Sequence, residues 1–126
     1  MSSVFTKIIQ GEIPCYKIYE DERTLAFLDI EPEAPGHTLV VPKVEVDKIY
    51  DLSDADYDAV MHTVKKLARH YEDVLGKRMI MKVIGVDVPH AHVHLIPVSD
   101  NLAGTEHLKL TPEEMEAWRE KLEYKD

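Results

Sequence analysis

His90-Ala91-His92-Val93-His94-Leu95-Ile96-Pro97 places histidine at every second position of a short, otherwise apolar run. A strand repeats its side-chain direction every two residues, so this spacing predicts a strand over 92–97 with three imidazoles on one face. Ala91, Val93 and Leu95 then point the opposite way and need cover. The cover is legible upstream. Ser53 is a capping residue with Asp56 three positions on, a variant of the capping box. Tyr57, Val60, Met61, Val64, Leu67, Ala68, Tyr71, Val74 and Leu75 recur at helical spacing, and Gly76 supplies a left-handed stop.

The neighbours of the array fill in a sheet. Tyr16–Tyr19 and Thr24–Leu28 favour extended chain around the charged turn Glu20-Asp21-Glu22-Arg23 and predict a hairpin. After Pro35-Gly36, His37–Val41 reads as an interior strand stopped by Pro42, and Met79–Ile84 as a strand separated from the histidines by Gly85–Pro89. Phe5, Ile8 and Ile9 before Gly11 suggest a short N-terminal helix. Thr111-Pro112-Glu113-Glu114 opens a C-terminal helix docked by Met115, Trp118 and Leu122. The expected class is α+β: an antiparallel sheet of about five strands, one long helix packed on it, and short helices at both ends.

A chain of 126 residues has the size of one domain, expected over 1–126 with its core in 4–98, a polar loop over 99–110 and the closing helix over 111–123. With 44% apolar and 31% charged residues it should fold throughout. A net charge of -9 argues against non-specific binding to nucleic acid or to an anionic membrane, both of which need a cationic face. Cys15 is the lone cysteine, so no disulfide can form within the chain, and the first residues lack the apolar core of a secretion signal. A cytoplasmic setting is the expectation.

Three readings compete for the histidine array. The rings could be ordinary satisfied polar groups; they could bind zinc or another transition metal; or one could be a nucleophile whose neighbours orient it and bind anionic oxygens. No further cluster of cysteine or acidic metal ligands stands out, and the flanking sequence favours the third.

His90-x-His92-x-His94-Leu95-Ile96 resembles the His-φ-His-φ-His-φ-φ signature of the histidine triad (HIT) superfamily, φ being apolar. Phe5-Thr6-Lys7-Ile8-Ile9-x-Gly11-Glu12-Ile13-Pro14, Leu25–Ile30 and Pro35–Lys43 resemble its Hint-like branch in the same order. The resemblance implies a HIT-like fold, a homodimer and a purine nucleotide substrate. Its chemistry is attack on the α-phosphate by the middle histidine, here His92, and hydrolysis of the resulting nucleotidyl-histidine. His94 and His37 match positions near the phosphate, and His90 matches a supporting position. Val4, Phe5, Ile8, Phe27 and Ile30 match positions around the base, and Asp29 matches the place of a ribose clamp. The implied substrate is a purine nucleoside phosphoramidate, with dinucleoside polyphosphate hydrolysis or a weakly catalytic nucleotide-binding module as alternatives. No cofactor is implied.

Two departures bear on chemistry. Many bacterial members of that branch bind zinc through two cysteines, a histidine after Pro-Lys and the first triad histidine. Ser3, Thr6, Glu45 and His90 stand there in this chain, and hydroxyls do not replace thiolates, so no structural metal is expected. The segment Gly85–Pro89 is shorter than the glycine-rich loops that bring a serine to the leaving group. Asp87 is the nearest acid, in a place where a carboxylate would repel a phosphate and where turn-capping suits it better.

Overall fold

The computed structural model describes residues 3–99 and 108–126, so the loop expected over 99–110 falls largely outside the described residues. Helix α1 (Val4–Ile9), strands β1 (Lys17–Glu20), β2 (Thr24–Leu28) and β3 (Thr38–Pro42), helix α2 (Asp54–Leu75), strands β4 (Met79–Lys82) and β5 (Val93–Pro97) and helix α3 (Pro112–Leu122) follow in order. The strands make one antiparallel sheet in the order β1-β2-β3-β5-β4. No helix among the described residues is long and apolar enough to cross a membrane.

Alternation along the strands divides the core in two. Ala26, Leu28, Val40, Val93 and Leu95 face α2 and α3, joined by Val60, Val64, Leu67, Tyr71, Met115 and Leu122. Leu25, Phe27, Leu39 and Val41 face the other way, under Phe5 of α1. The register pairs Phe27 with Leu39 and Leu39 with His94, so apolar residues flank the histidine on the sheet's second face.

Helix α2 ends as its sequence requires. The Ser53 hydroxyl accepts from the Asp56 N–H, and Gly76 at φ 66 supplies the left-handed stop. The box is only half made, because the Asp56 carboxylate turns to Arg23 and to the Ser53 hydroxyl. Tyr57 and Val74, near the helix ends, lie outside the buried span and are exposed. Buried Thr63, which an apolar count passes over, bonds Thr24 of β2 at 2.8 Å, and Tyr71 bonds Thr38 of β3. Hydroxyl pairs of this kind let polar side chains enter a core without loss of hydrogen bonds.

Strand β4 stops at Lys82, two residues short of expectation, where its pairing with β5 ends at His94 and Val83 and Ile84 are left exposed. Gly36, at φ 91, turns the chain into β3 where a β-carbon would stand 3.1 Å from Leu122 Cδ1 and 3.2 Å from Pro97 Cγ. Gly36→Ala is expected to destabilise the fold by about 2 kcal/mol through backbone strain and crowding, measurable by urea unfolding.

Candidate active site

Strand β5 begins at Val93, so His94 is the one triad histidine within it, and His90 and His92 come from the chain leading in. Ala91, Val93 and Leu95 are buried toward α2 as the alternation predicts. The three imidazoles expected on one face do not all reach one cavity. His92 and His94 line a cavity of about 310 Å³ together with His37, Asp29, Glu31, Glu33, Asp87 and apolar neighbours. His90 does not line it: its ring is fully buried, with Nδ1 2.9 Å from the Ser3 hydroxyl and Nε2 2.8 Å from the Pro42 carbonyl. Both ring nitrogens are thereby spent on structure.

His92 is held by its near side. Its Nδ1 lies 2.7 Å from the carbonyl oxygen of His90, which can only accept, so Nδ1 carries the hydrogen. In the neutral ring Nε2 then bears a lone pair. The edge-to-face contact with Phe5, centroids 5.1 Å apart, fixes the ring's rotation.

Beside it runs a directional chain. The Glu33 backbone N–H donates to His37 Nδ1 at 3.0 Å, leaving the hydrogen of neutral His37 on Nε2. That group donates to His94 Nδ1 at 2.9 Å, which puts the hydrogen of His94 on its own Nε2. This Nε2 is buried and has no hydrogen-bond partner among the described residues. A buried donor without a partner is costly, and a ligand oxygen would satisfy it. Burial first, with the Lys82 charge among the smaller causes, holds the His94 pKa down to about 4, so the ring stays neutral near pH 7.

Asp29 joins this cavity to a second one of about 400 Å³. Val4, Phe5, Ile8, Phe27, Asp29 and Ile30, the six residues expected around a nucleoside, all line this second space. Ile13, Pro14, Cys15, Leu39 and Val88 line it as well and were not foreseen. Strand alternation could have found Leu39, which shares a face with His37; the others come from irregular chain without a periodic signal. Asp29 Oδ1 accepts the Glu31 N–H at 2.9 Å, and Oδ2 lies 3.6 Å from His37 Nε2. A larger hollow of about 570 Å³, between β1 and the C-terminal residues, is lined by none of these side chains.

Two groups of side chains invite a test for metal. Asp29, His37 and His94 bring one ligand atom each within 4.8 Å of one another, but the facing nitrogens of the two histidines are joined by a hydrogen bond. Ser3, Thr6, Glu45 and His90, the positions of zinc ligands in the resembling branch, do meet in space. There the Glu45 carboxylate accepts from Ser3 N–H and the Thr6 hydroxyl, and Ser3 bonds His90. One imidazole, one carboxylate and two hydroxyls already bonded together do not fit a tetrahedral zinc site.

An apolar slot and a histidine-lined polar cavity thus adjoin one another, with Asp29 lining both. Comparisons with known proteins bear on the family. A family model described as HIT domain matches residues 10–101. Protein hit of Bacillus subtilis is 41% identical over 75% of this chain and 69% of its own. The adenosine 5'-monophosphoramidase of Schizosaccharomyces pombe is 34% identical over 99% of this chain and 98% of its own. A HIT-like protein of Bartonella henselae, described as involved in cell-cycle regulation, superposes with a TM-score of 0.85 at 30% identity, over 97% of this chain and 95% of that one. With a paired-histidine cavity behind the signature and matches over most of its length, this chain belongs to the HIT family.

Proposed function

We propose that this protein is a nucleotide hydrolase that cleaves a purine nucleoside phosphoramidate through a covalent nucleotidyl-histidine at His92. The observation that carries the reading is the fixed state of the ring: Nδ1–H is bound to the His90 carbonyl at 2.7 Å, and His92 itself lines the polar cavity. Its Nε2 lone pair attacks the α-phosphorus, the phosphorus–nitrogen bond breaks, and the amine leaves after taking up a proton from solvent. Water then attacks the same phosphorus and breaks its bond to Nε2, which releases the nucleoside monophosphate and restores the imidazole. The Nε2–H of His94 stabilises charge on the phosphoryl oxygens, with His37 orienting it. Val4, Phe5, Ile8, Phe27 and Ile30 hold the base, and Asp29 accepts from the ribose hydroxyls.

Glu31, Glu33 and Asp87 edge the phosphate cavity, with Lys82 already paired to Glu33 at 2.8 Å. Carboxylates there disfavour a polyanionic leaving group and tolerate an amine, which supports phosphoramidates over dinucleoside polyphosphates. The reading includes a homodimer, supported by the edge strand β4 with exposed Met81 and by exposed Val83, Ile84 and Val86 beyond it. It also includes residence in the cytoplasm, in keeping with a lone cysteine.

Incubation with adenosine phosphoramidate, with and without a chelator, tests the proposal. Equal AMP release in both is expected, with slower cleavage of a diadenosine polyphosphate. Binding of AMP without release would make the protein a nucleotide-binding module, and loss of release on chelation would transfer the chemistry to a metal at Asp29, His37 and His94.

A further inference from the structure

Ser3, Thr6, Glu45 and His90 lie outside the cavity, and their proton positions can be worked out bond by bond. The Pro42 carbonyl has no hydrogen to give, so its 2.8 Å contact requires that His90 Nε2 carry one. The ring is fully buried, which opposes a second proton, and burial holds its pKa below the ordinary histidine value. Nδ1 is then an acceptor, and the Ser3 hydroxyl donates to it at 2.9 Å. The Thr6 hydroxyl gives its hydrogen to Glu45 Oε1 at 2.6 Å, and the Ser3 N–H donates to the same oxygen at 2.7 Å. Ser3 Oγ in turn accepts the Thr6 N–H at 3.1 Å. The Thr6 hydroxyl also lies 3.2 Å from Ser3 Oγ and 3.3 Å from His90 Nδ1, so both hydroxyls stand against the same ring nitrogen, Ser3 the nearer of the two.

The cluster joins three distant pieces of chain: the start of α1, the segment after β3 and the residues leading into β5. Each of the two outer pieces bears on His92. The His90 carbonyl holds His92 Nδ1 at 2.7 Å, and α1 carries Phe5, whose ring abuts the His92 ring.

We propose that Ser3, Thr6 and Glu45 form a hydrogen-bonded latch that acts through His90 to position His92. They are positioning residues, and they occupy with their own donors and acceptors the place where the family resemblance would put zinc ligands. The inference rests on the reading of His92 as the nucleophile. Its effect is on the ring's orientation and tautomer, to which the rate is sensitive because small displacements of a reacting group are costly.

Nitrogen-15 spectra of the histidines in the full chain, with kinetics on adenosine phosphoramidate, test the latch. In the wild type His90 is expected as the Nε2–H form and His92 as the Nδ1–H form. Ser3→Ala should convert His92 to a mixture of tautomers and lower kcat roughly ten-fold with AMP affinity changed less than about two-fold, whereas Ser3→Thr should restore both the single form and the rate. If Ser3→Ala fails to fold, the near-isosteric Thr6→Val cuts the network one bond further out and should give the same split. An unchanged rate with a single His92 form would overturn the latch. So would parallel loss of rate, AMP affinity and melting temperature, which would reduce the cluster to an anchor for α1. Absence of turnover in the wild type would defeat the nucleophile reading instead, and the spectra would still decide whether Ser3 governs the His92 ring.

Discussion

His92→Asn should lower phosphoramidate turnover on the order of 10⁴-fold or more and eliminate any nucleotidyl adduct, because loss of a covalent nucleophile removes the pathway rather than weakening it. Asparagine is chosen for its geometry. Its side-chain N–H₂ can stand where Nδ1–H stands and donate to the His90 carbonyl, which accepts at 2.7 Å in the native chain. Nothing then occupies the place of Nε2. The cavity formed by His37, His94 and Asp29 is retained, so AMP should bind within a few-fold of wild type and the melting temperature should change little. The paired measurement is intact-protein mass spectrometry after mixing with substrate, for an added AMP mass in the wild type and none in the variant. Turnover near the native rate in His92→Asn would assign the attack to another group.

The fold was legible where sequence and geometry share one period. In β5 the alternation sets Val93 and Leu95 against α2 and His94 on the opposite, cavity side, and the 3.6-residue recurrence from Val60 to Tyr71, capped by Ser53 and Gly76, is the helix that covers the first side. What escaped notice depends on contacts between distant residues of the wrong polarity for a core. Thr24 with Thr63 and Thr38 with Tyr71 are buried because each hydroxyl finds the other, which no single segment can announce. The site divides in the same way. His37, His92, His94 and Asp29 were marked from the chain and stand together. The donation from the Glu33 backbone that orients His37, and the burial of His90 away from the cavity, follow from how loops meet strands. Ser3, Thr6 and Glu45 were noticed only as residues unfit for zinc; that they bond to one another becomes visible once α1 lies against the end of β3.

His94→Asn should separate two properties that the native ring combines. The asparagine Oδ1 can take the place of Nδ1 and accept from His37 Nε2, 2.9 Å away in the native chain, so the neighbouring histidine keeps its partner. The Nε2–H, which has no hydrogen-bond partner among the described residues, is lost, and with it the proposed donor to the phosphoryl oxygens. Removal of one such donor costs on the order of 10²–10³ in kcat. The second property is acid sensitivity. The native His94 pKa, held at about 4 mainly by burial, lies below the ordinary value of 6.5 that the unfolded chain would show. Above pH 6.5 both states are neutral at this ring and its contribution is fully present. As pH falls from 6.5 toward 4 the unfolded chain binds a proton that the folded chain refuses, so stability is lost with acid, by about 3 kcal/mol for this group. His94→Asn should therefore be slower at every pH yet lose less stability between pH 6.5 and 4, retaining the acid loss of other groups such as His90 and, toward pH 4, Glu20. Urea unfolding followed across that range reads the slope directly. A variant as acid-sensitive as the wild type would mean that His94 is protonated inside the folded protein, and a protonated His94 could not accept the hydrogen of His37 on Nδ1.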